Sequence, residues 1–183
     1  MKNFKLNEKD ILSNQDWTFP TTTYYGPGRF NEIAKFCEEF DIKNPLIVTD
    51  SGSKDLPFIK KLIALLSKNN IKSDLFYNIS PNPRDDEISK GCDQFKNGSH
   101  DSIIAIGGGS AMDGGKSICL TVNSETPLWD FEFEQPVPKI TKENAFPKII
   151  TVPTTAGTGA ETEITAMVTH LEKGMKFCIW HPD

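Results

Sequence analysis

A chain of 183 residues with 37% hydrophobic and 25% charged content has the composition of a globular protein with a core of its own. Its net charge of −5 and the lack of any basic stripe, Lys60-Lys61 being the one adjacent basic pair, argue against a nucleic-acid or anionic-membrane surface, because neutralising phosphates takes clustered cations. Cys37, Cys92, Cys119 and Cys178 show no CxxC spacing and read as reduced, buried thiols, and no apolar run has signal-peptide or membrane-span length, so a cytoplasmic protein is expected.

Short β-branched runs alternate with helical patterns, the rhythm of an α/β fold with a mainly parallel sheet and flanking helices. After a polar lead-in, residues 19–25 predict a first strand closed by Gly26-Pro27-Gly28, and residues 29–40 carry Phe30, Ile33, Phe36, Cys37 and Phe40 at helical spacing. Leu46-Ile47-Val48-Thr49-Asp50 predicts a buried strand ending in a carboxylate. A helix follows over 57–68, with Phe58, Leu62, Leu65 and Leu66 on one face. Residues 71–78 predict another strand, Pro81-Asn82-Pro83 a rigid turn, and Asp85-Asp86-Glu87 the acidic first turn of the next helix.

Residues 102–106 form a continuous apolar strand that runs straight into Gly107-Gly108-Gly109-Ser110 and a helix from Ala111 to Leu120. Ser110 is expected as its N-cap, with Asp113 three residues on as a variant capping box. Residues 123–147, rich in proline, aromatics and acids, predict a long excursion beside the site. A strand at 148–152 leads into the small-residue loop Pro153-Thr154-Thr155-Ala156-Gly157-Thr158-Gly159-Ala160-Glu161. A strand over 164–169 and a turn at Glu172-Lys173-Gly174 complete the pattern.

The strand–glycine–helix junction is the most informative feature. Bare glycyl backbone admits a pyrophosphate, and the first N–H groups of the following helix have no intrahelical partner and point at the anion. A tight turn is the other explanation of GGGS taken alone. Asp50 is either a polar stop before a Ser51-Gly52-Ser53 turn or an acceptor for an adenosine ribose hydroxyl that rejects a 2′-phosphate, favouring NAD over NADP. Asp113 and Lys116, one turn apart, either pair with each other or face the cradle, Lys116 as a cation near phosphate and Asp113 holding a neighbouring loop or a nicotinamide-side group. Thr154, Thr155 and Thr158 offer hydroxyls at a strand end, where each singly is explained by an ST-turn. Two such loops ending two parallel strands point to a cofactor.

GGGSAMDGGK together with TVPTTAGTGAETE resembles the iron-containing (group III) alcohol dehydrogenase family, and Tyr24-Tyr25-Gly26-Pro27-Gly28 and Val48-Thr49-Asp50-Ser51-Gly52 fall where that family has its entry strand and adenosine-side acid. The resemblance implies a Rossmann-like dinucleotide-binding domain over 1–183. In it Asp50 faces the adenosine ribose, Gly107, Gly108, Gly109 and Ser110 hold the pyrophosphate, and Thr154, Thr155 and Thr158 line the nicotinamide side. It further implies that Lys176 lies near the nicotinamide ribose, that the Met167 backbone touches the cofactor, and that Asp113 is the acid of the glycine motif.

The same resemblance implies an all-helical second domain that supplies an aspartate and three histidines to iron or zinc, and none of those ligands is present. His100, His170 and His181 lack metal-ligand spacing and are expected as surface or loop residues. Three departures from the family are Ala160 for a common serine, the acidic Glu163, and His170 for an aspartate. The chain thus reads as the cofactor-binding half of an NAD- and metal-dependent dehydrogenase acting on a small alcohol or aldehyde. As in a truncated or split protein, none of its residues is assigned as catalytic or metal-binding. The rival reading is a nucleotide-binding module without turnover, or a fragment completed by a helical partner chain. Glycerol dehydrogenase-like and dehydroquinate synthase-like relatives share the architecture, and the intact PTTAGTGAE loop disfavours them. Self-association or a homodimer is expected from apolar surface near the terminus, with Phe177, Ile179 and Trp180 as its source.

Overall fold

In a computed structural model, which describes residues 14–17 and 21–182, the short strand β1 (Gln15–Trp17) pairs antiparallel with β2 (Thr23–Tyr25). Of the strand expected over 19–25, residues 19 and 20 lie outside the described residues, 21 and 22 are not strand, and 23–25 form β2. A 3-10 turn at Arg29–Glu32 leads into α1 (Ile33–Glu39). Four parallel strands follow: β3 (Pro45–Asp50), β4 (Asp74–Ile79), β5 (Ser102–Gly107) and β6 (Lys148–Pro153), in spatial order β4-β3-β5-β6. Helices α2 (Pro57–Lys68), α3 (Asp85–Asn97) and α4 (Gly109–Thr121) separate them. An antiparallel hairpin of β7 (Thr165–His170) and β8 (Met175–Trp180) ends the described chain.

The sheet is covered on both faces, which is why its central strands read as unbroken apolar runs. Alternate residues of β3 and β5 serve opposite layers. Leu46, Val48, Ile103 and Ala105 pack with α3, α4 and the hairpin through Ile88, Phe95, Met112, Ile118, Val168 and Ile179. Ile47, Ile104 and Ile106 pack with α1 and α2 through Ile33, Cys37, Ile59, Leu62 and Leu66. Each of these large buried side chains contributes roughly 2 kcal/mol. Helix α2 starts on Pro57, which needs no N–H partner there, and stops at Asn70, whose left-handed φ of 59° lets Ile71 N–H bond Leu66 O at 3.1 Å. Against β5, α4 lies so close that a Cβ on Gly115 would stand 2.5 Å from Ala105 Cβ.

Several local expectations change. The cap of α4 is Gly108, in extended geometry, so Ser110 is not the N-cap; it lies in the first turn and its hydroxyl donates to Pro81 O at 2.6 Å. Close approach at the strand end favoured glycine there over a side-chain cap. The strand β8 and the lead-in strand β1 carried no clear period. The 123–147 excursion runs along β8, with Phe131 buried in the core and Phe133 N–H donating to Cys178 O at 2.9 Å. Burial raises the thiol pKa of Cys37 to about 11 and of Cys119 to about 12, while Cys178 is only half-buried. No helix among the described residues is long and apolar enough to cross a membrane.

Candidate functional site

Because β3 connects to β4 on one side while the chain returns to β5 on the other, the carboxyl ends of β3 and β5 form a topological switch point, where doubly covered sheets leave a crevice. Asp50 and Gly107 end those two strands, and Pro153, paired with Gly107 in register, ends the next. The ladder continues one step beyond β6, Thr154 N–H donating to Gly107 O at 2.8 Å. The glycine and threonine loops therefore sit on neighbouring strand tips.

Contact between them is direct. A Cβ placed on Gly107 would lie 3.1 Å from Asp50 Oδ2, one on Gly108 3.4 Å from Thr155 Oγ1, and one on Gly109 3.1 Å from Thr158 Cγ2. Thr154, Thr155 and Thr158 are themselves exposed at the rim of this crevice, with Gly108 and Gly109 half-buried and Gly107 buried beneath it. A cleft of about 280 Å³ continues from it, lined by Gly109, Ser110, Asp113, Thr158, Met167 and, not foreseen from sequence, Glu163 with Thr165. Glu163 Oε2 accepts from Thr165 Oγ1 at 3.1 Å, fixing the acidic residue at the cleft edge.

The hairpin register sets the far wall. Met167 pairs with Cys178 and Thr169 with Lys176, so Lys176 lies on the same hairpin face as Met167 and Thr165, while Ala166, Val168 and Ile179 turn into the core. Lys176 is exposed and does not line the cleft; its positive charge nevertheless reaches Asp113.

Lys116 is not a phosphate cation. Its ammonium donates to Glu163 O at 3.2 Å and to Thr165 O, and it stands 3.6 Å from Asp113 Oδ1. Asp113 in turn accepts the Met167 backbone N–H, so the pair latches α4 to the start of β7. Burial is the larger influence on both: it holds the Asp113 carboxyl above the usual carboxylate range and the Lys116 ammonium below its usual value, against their mutual attraction.

The histidines are packed rather than superficial. His100 is buried, its Nδ1 2.9 Å from Asn44 O; His181 is buried, its Nε2 3.0 Å from Pro138 O. The His170 ring stacks on Trp129 at 4.5 Å. Among the described residues no group of three or more His, Cys, Asp or Glu stands where it could hold a metal ion.

Residues 20–183 match the family model described as "Iron-containing alcohol dehydrogenase". The chain is 30% identical over 166 residues to a 1,3-propanediol dehydrogenase of Klebsiella pneumoniae, covering 90% of this chain and 42% of that protein. A crystal structure of 1,3-propanediol oxidoreductase superimposes with a TM-score of 0.77 at 30% identity, over 85% of this chain and 39% of that one. A sulfoacetaldehyde reductase from Bifidobacterium kashiwanohense, solved in complex with NAD+, superimposes with a TM-score of 0.76 at 27% identity, over 86% and 40%. The chain thus spans about two fifths of the length of these relatives.

Proposed function

The chain belongs to the iron-containing alcohol dehydrogenase family, and from that premise we propose that it is the NAD-binding part of a dehydrogenase that interconverts a small alcohol and its aldehyde. The observation that carries this is the meeting of Asp50, the three glycines and the threonine loop at one switch point. The NAD+ complex of the similar reductase supports the same cofactor.

The cradle fits the group. A Cβ on Gly107, Gly108 or Gly109 would crowd Ala111, Thr155 or Thr158, so bare backbone is what brings the start of α4 to the strand tips, where its first N–H groups, those of Gly109 and Ser110 among them, suit a pyrophosphate. The Asp50 carboxylate would accept from the adenosine ribose and repel a 2′-phosphate. Thr154, Thr155 and Thr158, with the Met167 backbone and the Lys176 ammonium, would face the nicotinamide half, while Asp113 keeps β7 in place. NAD, when bound, supplies the hydride acceptor and donor. Residues 1–183 would form one cytoplasmic dinucleotide-binding domain. The described histidines and acids do not fit a metal site, so an iron or zinc ion that polarises the alcohol would be held by residues outside the described ones.

Titrating the chain with NADH and following nicotinamide fluorescence tests the proposal: saturable enhancement is expected, and a flat titration overturns it. Asp50→Ala is expected to weaken discrimination between NADH and NADPH by roughly thirtyfold, the equivalent of about 2 kcal/mol of charge repulsion. An unchanged ratio removes Asp50 from that role.

Self-association is proposed from a different surface than the sequence pointed to. Ile179 is fully buried and Phe177 and Trp180 half-buried, whereas Phe133 is 59% and Met175 60% exposed. Ile164, Met167 and Leu171 are exposed along the same hairpin, and Phe133 packs its ring 5.6 Å from Trp180. Exposed apolar side chains on and beside one hairpin favour burial against another surface. Size-exclusion chromatography across a hundredfold dilution series is expected to show concentration-dependent elution; a constant monomer volume contradicts it.

A further inference from the structure

We propose that Ser53 is a positioning residue for dinucleotide selection, its hydroxyl locking the Asp50 carboxylate into the orientation that recognises the adenosine ribose. This rests on the NAD reading above. Ser53 Oγ donates to Asp50 Oδ2 at 2.7 Å, Gly52 N–H donates to Oδ1 at 3.0 Å, and Ser53 N–H donates to Asp50 O at 3.1 Å. The terminal torsion of an aspartate is ordinarily broad, and two donors on its two oxygens remove that freedom.

The lock is aimed. It turns Oδ2 toward Gly107, whose missing Cβ would lie only 3.1 Å away, so the acid at the tip of β3 and the first cradle glycine form one surface. An ionised carboxylate offers about four lone-pair directions, and the clamp uses one on each oxygen, leaving one on each for an incoming hydroxyl. With its proton committed to Asp50, the Ser53 hydroxyl does not serve as a donor to a 2′-phosphate. The adjacent cation Lys54 lies over the Tyr77 ring, 4.8 Å from its centroid, in the direction of the edge strand β4. Nothing on the turn therefore offsets the negative charge that a 2′-phosphate would meet.

Without the hydroxyl, Asp50 keeps a single side-chain anchor and is half-exposed, so its carboxylate swings toward water. Ser53 is itself half-buried at the surface, and removing its Oγ opens no cavity in the core.

The experiment compares dissociation constants for NADH and NADPH by fluorescence titration of the full chain carrying Ser53→Ala, Ser53→Cys, Ser53→Thr or Asp50→Ala. Ser53→Ala and Ser53→Cys are expected to lower the NADH preference about tenfold, the worth of one hydrogen bond to a charged group. Ser53→Thr, which restores the donor, is expected to stay within about twofold of wild type, with melting temperatures lowered by no more than about 5 °C throughout. An undiminished preference in Ser53→Ala or Ser53→Cys, alongside a lost preference in Asp50→Ala, overturns the clamp and leaves the dinucleotide reading standing. Wild-type chain that binds neither dinucleotide overturns that reading and the clamp with it.

Discussion

Gly107→Ala is expected to abolish measurable NADH binding and to lower stability by about 3 kcal/mol, the sum of a strained backbone and an overfilled contact. Gly107 has φ +148°, a conformation L side chains rarely adopt, and a methyl there would stand 2.7 Å from Ala111 Cβ and 3.1 Å from Asp50 Oδ2. Relief requires moving either the first turn of α4 or the acid of β3. Each of those groups is proposed to contact the cofactor, so stability and affinity fall together. Gly174→Ala separates strain from crowding: Gly174 has φ +61° in the β7–β8 turn, with nothing within 4 Å of its added Cβ. It should cost about 1 kcal/mol and leave NADH binding intact. Urea unfolding gives the first quantity and nicotinamide fluorescence the second. Wild-type affinity in Gly107→Ala would remove the glycine cradle from the binding site.

The parallel sheet was legible because its strands are buried on both faces and announce themselves as continuous apolar runs, as Leu46–Val48 and Ile103–Ile106 do. The crevice was legible for a related reason: glycine and small hydroxyl residues at strand ends have few structural alternatives when two such loops occur together. What stayed hidden depends on partners distant in sequence. Lys116 has a free-looking helix position, and only the fold brings the Glu163 and Thr165 carbonyls to its ammonium. His100 has polar neighbours in sequence, yet it is enclosed by Phe95 and Asn44. Ser53 reads from sequence only as part of the turn after Asp50, although a serine three residues after an aspartate, across a glycine, is also the spacing of a side-chain clamp.

Lys116→Met alone is expected to destabilise the chain by about 3 kcal/mol, whereas Lys116→Met combined with Asp113→Leu is expected to be within about 1 kcal/mol of wild type. The two side chains are only 12% and 16% exposed, and both titrate in the direction that burial dictates. Their attraction therefore does not fully repay desolvation, and removing one partner leaves the other charge buried and alone. Methionine keeps the apolar stem of the lysine, so the loss reports on the uncompensated charge of Asp113 rather than on packing. A coupling energy above about 2 kcal/mol in the double-mutant cycle is the expected result, and additive losses would contradict it.

The pH dependence carries a sign of its own. Because the folded pKa of Asp113 is raised above its unfolded value, its contribution to stability is fullest below the unfolded pKa and is lost as pH rises through the folded one. The stability of wild type relative to Asp113→Asn should therefore increase as pH falls from 7 toward 4. Unfolding of both proteins in urea at pH 7 and pH 4.5 measures that difference, and a decrease would mean that pairing with Lys116, not burial, governs the carboxyl.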